Sequence, residues 1–80
     1  MEGTVVKVNS QKMFGFIRGK SNLQYFFHKE EFNGHFNDLV DDFEDGRIIH
    51  VTFIPIETPK GPRATDVKRV DWPNQSGSER

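Results

Sequence analysis

The segment Lys12–His28 reads KMFGFIRGKSNLQYFFH and holds five aromatic rings and, counting His28, four basic side chains in seventeen residues. Charges are costly in a core, and rings are out of place on an ordinary surface, so the two must be sorted by geometry. The turn sequence GKSN at 19–22 divides the segment into two strand candidates, Met13–Arg18 and Gln24–His28. Side chains alternate across a strand. In the first candidate, Met13, Gly15 and Ile17 take one face, and Lys12, Phe14, Phe16 and Arg18 take the other. A face bracketed by Lys and Arg is not a core face, so Phe14 and Phe16 point to solvent. In the second candidate Tyr25 and Phe27 point inward, leaving Gln24, Phe26 and His28 outside. Paired as a hairpin, the two strands gather three phenyl rings and an imidazole on one exposed surface. Gly15 faces inward, where a missing side chain permits a tight bend.

The rest of the chain is compatible with a small β-rich domain. Eighty residues make one domain, and a chain of this length buries only about 60% of its unfolded surface. Val, Ile, Phe and Thr together number 24, against two Leu and one Ala, so β-branched and aromatic residues dominate over good helix formers. Further strands are expected at Thr4–Val8, at Arg47–Ile54 (stopped by Pro55) and at Arg63–Val70. In Arg47–Ile54, the residues Ile49, Val51 and Phe53 share the face assigned to the core, with His50 and Thr52 opposite. Five short antiparallel strands with one longer insertion after the third predict a small barrel. The insertion carries Phe32, Phe36, Leu39 or Val40, and Phe43 at spacings of three and four, which is helical period. Asn33-Gly34 interrupts it, so a short helix or a couple of turns is expected. Residues 71–80, DWPNQSGSER, have loop composition and are expected to form a flexible tail, leaving residues 1–70 as the domain.

Net charge is −1, but it is segregated. Residues 1–29 carry +4, residues 30–45 carry −7 with no Lys or Arg, and residues 46–80 carry +2. A polyanion responds to the local field of a patch rather than to the chain total, and the aromatic stretch lies in the most basic third. Two residues of strand span roughly 6.6 Å, comparable with one extended nucleotide. Exposed rings at that spacing, flanked by Lys12, Arg18 and Lys20, suit stacking of unpaired bases with phosphate contacts at the margin. Two other readings fit the same spacing. The rings are covered by the Phe32–Phe43 segment as a second core, or they form a protein-docking patch.

Several residue groups resemble the cold shock domain, a five-stranded OB-type barrel that binds single-stranded RNA and DNA. They are GTV at 3–5 with Asn9, KMFGFI at 12–17, FFH at 26–28, DG at 45–46 and KGPRA at 60–64. KMFGFI is similar to the family's first ribonucleoprotein motif, with Met13 in place of its usual glycine, and YFFH at 25–28 is similar to the second. An RNA recognition motif domain has these motifs in the opposite order and needs two amphipathic helices, which this composition does not supply. By resemblance, Phe14, Phe16, Phe26 and His28 are base-stacking residues and Lys12 contacts the backbone. Lys60 and Arg63 lie at and after the basic turn before the last strand, Arg18 adds a phosphate contact, and Phe36 matches a loop aromatic that closes over a base.

The departures are specific. Where the family usually reads GTVKWFN, this chain reads GTVVKVN, so Lys7 stands in the place of a stacking tryptophan and offers a phosphate contact instead. Gln24 stands where an aspartate often reads a base, and Lys29 where another aromatic often lies. Trp72 is either a substitute ring or an uninvolved tail residue. These changes predict weaker binding than in a typical member, with more reliance on charge.

Other chemistries find little support. The chain has no cysteine, hence no disulfide or thiolate metal site, and His28, His35 and His50 lack metal-site spacing. HKE at 28–30 shares the H-x-E of zinc deaminases without the cysteine pair they need, and PKGP at 59–62 is not a phosphate loop. No nucleophile is paired with a base. The expectation is a non-enzymatic, cytoplasmic binding protein without cofactor, metal or membrane segment. Its partner would be single-stranded RNA or DNA, RNA foremost, and it would be a monomer or weak homodimer. It would act as an RNA chaperone or as a regulator of transcription or translation. The alternative is a protein-interaction OB module that uses the acidic insertion and has weak or lost nucleic-acid binding.

Overall fold

A computed structural model of the chain describes residues 1–70; the tail from residue 71, with Trp72, lies outside the described residues. The elements are β1 (Glu2–Asn9), β2 (Phe14–Arg18), β3 (Gln24–His28), β4 (Phe32–Asn33), α1 (Phe36–Glu44), β5 (His50–Thr58) and β6 (Gly61–Arg69). The strands form one sheet in the order β3-β2-β1-β5-β6-β4, and a further pairing of β3 with β6 closes it. The expected five-stranded barrel is therefore present, as β1, β2, β3, β5 and β6. Its closing contact, Phe26 opposite Arg63, is parallel rather than antiparallel. The two-residue β4 is an addition that runs parallel to β6 at Phe32↔Val67 and Asn33↔Lys68.

Alternation sorts the barrel as the sequence implies. Ile17, Tyr25, Phe27, Ile49, Val51 and Phe53 are all buried in one cluster. In β1 the alternation is broken by a bulge between Val5 and Lys7. Strict period two from the buried Val5 would carry Lys7 into the core. With the bulge, Lys7 pairs with the outward Phe16, and Val8 pairs with the inward Gly15.

Two boundaries differ from expectation for identifiable reasons. Met13 does not begin β2 but sits in the preceding turn with φ +60°, a left-handed conformation that costs an L-residue about 1–2 kcal/mol. This explains why a glycine suits the position. The turn is held by Asn9, whose Oδ1 accepts from the Lys12 N–H at 2.9 Å and whose carbonyl accepts from the Met13 N–H at 2.8 Å. Pro55 does not stop β5, which continues to Thr58. β1 covers β5 at His50–Thr52 and Met1 extends the contact to Phe53, so the far edge of β5 beyond Phe53 has no strand partner. Antiparallel pairs alternate between those that exchange two hydrogen bonds and those that exchange none. Pro55↔Ala64 and Glu57↔Pro62 share a parity, so both prolines sit where no inward N–H is required.

The insertion after β3 resolves into α1, nine residues long, which presses Phe36, Leu39 and Val40 into the barrel interior with Phe43 partly buried beside them. Asn33-Gly34 marks its approach rather than its middle. Gly46, at φ +83°, ends it, with the Gly46 N–H donating to the Phe43 carbonyl at 3.0 Å, a glycine-terminated exit. The acids of α1 are mostly solvated, but Asp42 is not. Its Oδ2 accepts from Arg69 Nη1 at 2.8 Å, and Arg47 Nε lies 3.7 Å from its other oxygen, which ties the helix to the end of β6.

Gly15 is fixed by close approach rather than by turn geometry. A Cβ there would stand 2.7 Å from the Lys7 carbonyl oxygen and 2.8 Å from the Phe27 ring. Neither can retreat, one being backbone and the other a ring with no solvent exposure. Gly15→Ala is therefore expected to lower stability by about 1–3 kcal/mol, read as a reduced urea midpoint with unchanged slope.

Candidate nucleic-acid interface

The register of β2 and β3 builds the outer surface. Phe14 lies opposite His28, Phe16 opposite Phe26, and Arg18 opposite Gln24. Because directly opposed residues share a face, the three rings and the imidazole meet on one side, and Lys7 joins them through its pairing with Phe16. Phe14, Phe16 and Phe26 are half-buried, chiefly because they shelter one another. Ring centroids are 6.0 Å apart for Phe14–Phe16, 5.4 Å for Phe14–Phe26 and 5.7 Å for Phe16–Phe26.

The rings are not a flat row. Phe14 and Phe16 stand at 89°, Phe16 and Phe26 at 73°, and only Phe14 and Phe26, at 37°, approach a common plane. Edge-to-face packing of this kind is what ring quadrupoles favour when nothing lies on them. Phe14 and Phe26 thus offer the flatter stacking surface, with Phe16 presenting an edge between them.

The second-core reading places Phe32 and Phe36 over these rings, and the structure places them elsewhere. Phe36 is buried, with its centroid 6.2 Å from Phe27 and 6.3 Å from Phe32. It belongs to the interior and not to the outer surface, which corrects its expected role as a loop aromatic over a base. The helical spacing that first signalled α1 is the reason, since Phe36 is the first residue of the inward face.

The remaining predicted residues lie around the ring cluster. Lys12 is exposed in the β1–β2 turn, and Arg18 is exposed at the far end of β2. His28 is half-buried. Its Nδ1 accepts from the Glu30 backbone N–H at 3.3 Å, which leaves Nε2 of the neutral ring as a donor. Lys60 is exposed at the two-residue β5–β6 turn, where its N–H donates to Thr58 Oγ1 at 3.2 Å. Among the described residues, none of Lys7, Lys12, Arg18, Lys60 and Arg63 is in an ion pair. The cations are available to a ligand.

Two features were not anticipated from the sequence. The guanidinium of Arg63 lies over the Phe26 ring, 5.2 Å from its centroid, a cation–π contact made possible by the β3–β6 closure. The second is a groove of about 690 Å³ beside the rings, whose wall includes Phe26, Lys60 and Arg63 and also the acidic Glu30 and Glu31. The acids belong to the one-turn helix Lys29–Glu31 directly after β3. Their only sequence signal is adjacency to the YFFH motif.

The geometry suits a stretched polyanion with planar bases. No group of three His, Cys, Asp or Glu side chains that could hold a metal ion occurs among the described residues. Among those residues, no helix is long and apolar enough to cross a membrane. No curated protein matches the chain. The family model of the 'cold-shock' DNA-binding domain matches residues 1–70, which takes in β1 to β6 and every residue of the outer surface. That family binds single-stranded nucleic acid and is not an enzyme family. With the barrel, the two outward motifs and the match over nearly the whole length agreeing, the chain belongs to the cold-shock domain family.

Proposed function

We propose that this protein binds single-stranded RNA through the Phe14, Phe16, Phe26 and His28 surface and holds it unpaired without using ATP. The observation that carries the proposal is the position of the three rings, on the outward side of β2 and β3 and bordered by cations that have no ion-pair partner. Bases stack on Phe14 and Phe26, phosphates are met by Lys7, Lys12, Arg18 and Lys60, and Arg63 lies at the groove beside Phe26. RNA is favoured over DNA as the target because it is the main unpaired polynucleotide of the cytoplasm, the expected compartment.

Energetics limit the activity. Stacking on each ring is worth about 1–3 kcal/mol, against a mean near 1.4 kcal/mol per step of duplex DNA. Two or three stacked bases therefore shift a weak hairpin toward the open strand by mass action and leave long duplexes intact. This is the action of an RNA chaperone, performed by a single domain as a monomer or weak homodimer.

Titration of a pyrimidine-rich ribo-oligonucleotide and its deoxy counterpart at two salt concentrations tests the reading. With four cations facing phosphates, binding is expected to weaken with salt at a log–log slope no steeper than about −2.8, at about −0.7 per phosphate contact. Failure of both oligonucleotides to bind at low salt would sink the proposal and favour a protein partner.

Stability and binding should also separate. Phe14→Ala is expected to weaken binding by about 1–3 kcal/mol while changing stability by less than about 1.5 kcal/mol. Phe53→Ala, a core ring with 2% exposure, is expected to cost about 3–5 kcal/mol of stability.

Lys7→Trp adds a ring beside Phe16 and removes a charge. Affinity should rise by about 1–3 kcal/mol, and the salt slope should become shallower by about 0.7; a slope that stays the same would remove Lys7 from the phosphate path.

A further inference from the structure

The groove beside Phe26 contains a combination that phosphate binding does not explain. Lys60 and Arg63 share its wall with Glu30 and Glu31, yet none of the four forms an ion pair among the described residues. Carboxylates on the path of a polyanion repel it, so their presence calls for a ligand group that donates hydrogen bonds. Arg63 supplies the complementary group. Its guanidinium lies over Phe26 in the wall of the groove, and because its Nε is closed to solvent, the donors it can offer are those of its two terminal nitrogens.

A forked donor and a carboxylate acceptor, kept apart across a groove next to a stacking ring, match one nucleobase better than the others. Guanine carries two neighbouring acceptors, O6 and N7, which an arginine engages in bidentate fashion. Its adjoining edge carries two neighbouring donors, N1–H and the N2 amino group, which fit the two oxygens of one carboxylate. Uracil would set its carbonyl oxygens against that carboxylate, and adenine and cytosine lack the paired donors. We propose, resting on the single-strand reading above, that this groove is a guanine-selective subsite in which Arg63 donates to O6 and N7 and Glu31 accepts from N1–H and N2. Glu31 is assigned over Glu30 because it is half-buried, whereas Glu30 is exposed.

The test is titration of the chain with uridine heptaribonucleotides that carry guanosine, adenosine, cytidine or uridine at the centre. The guanosine oligonucleotide should bind at least about fivefold tighter than the other three. Central inosine, which lacks the N2 amino group, and 7-deazaguanosine, which lacks N7, should each lose part of that margin without any change to the protein. Glu31→Gln and Arg63→Lys should bring the guanosine-to-uridine affinity ratio toward one, whereas a purely electrostatic role would move all four affinities together and leave the ratio unchanged. Equal binding of the four heptamers would overturn the guanine subsite and leave the single-strand reading standing. No binding by any heptamer at low salt would overturn both.

Discussion

The approach of the Phe27 ring to the backbone of Gly15 governs this molecule. Phe27 has no solvent exposure and reaches so near to Gly15 that a single methyl group would not fit between them. The contact fixes the phase of β2 and β3 together, because a slip of one residue in either strand exchanges its two faces. Once Phe27 points inward against Gly15, Phe26, Phe14 and Phe16 point outward. Phe27 also touches Phe32 and Phe36, so the same ring anchors the start of the acidic insertion to the interior. The outward ring surface is the reverse side of that contact.

This arrangement separates stability from recognition within the thickness of one sheet. Inward side chains of β2, β3 and β5 supply the core, and outward ones are free to serve a ligand. The acidic insertion fits the same division. Its apolar face fills the barrel and Asp42 binds Arg69 and Arg47, whereas Glu30 and Glu31 of the same charge block line the groove beside Phe26. What counts for a nucleic acid is the unpaired Lys and Arg around the rings, and net charge conceals it.

Much of this was legible in the sequence. The inward set of Ile49, Val51 and Phe53, the two-sided reading of β2 and β3, and the short helix all follow from period two and period three to four. What escaped the sequence depends on long-range pairing. Pro55 reads as a stop unless one knows that its edge of β5 is unpaired. The bulge in β1 was hinted at only by Lys7, which strict alternation would bury. Resemblance makes Phe36 a ligand contact, although its own spacing with Leu39 and Val40 marks it as interior. The cation–π contact of Arg63 with Phe26 joins residues far apart in the chain through the parallel closure of the barrel, and no local pattern reports that. The acids of the groove were hidden for a different reason: a glutamate after a strand is, on composition alone, a solvated surface residue.

The proline in β5 has a consequence for how the protein tolerates crowding. Beyond Phe53 that strand shows an open flank, with Ile54 and Ile56 at 54% and 40% exposure. A bare flank with aliphatic neighbours is the template on which chains add to one another and grow into fibrils. Pro55 withdraws a donor from the middle of that flank, so an incoming strand meets a gap in the ladder where it would need continuity. The residue that complicates reading the strand from sequence thus guards the folded domain against self-association at high concentration.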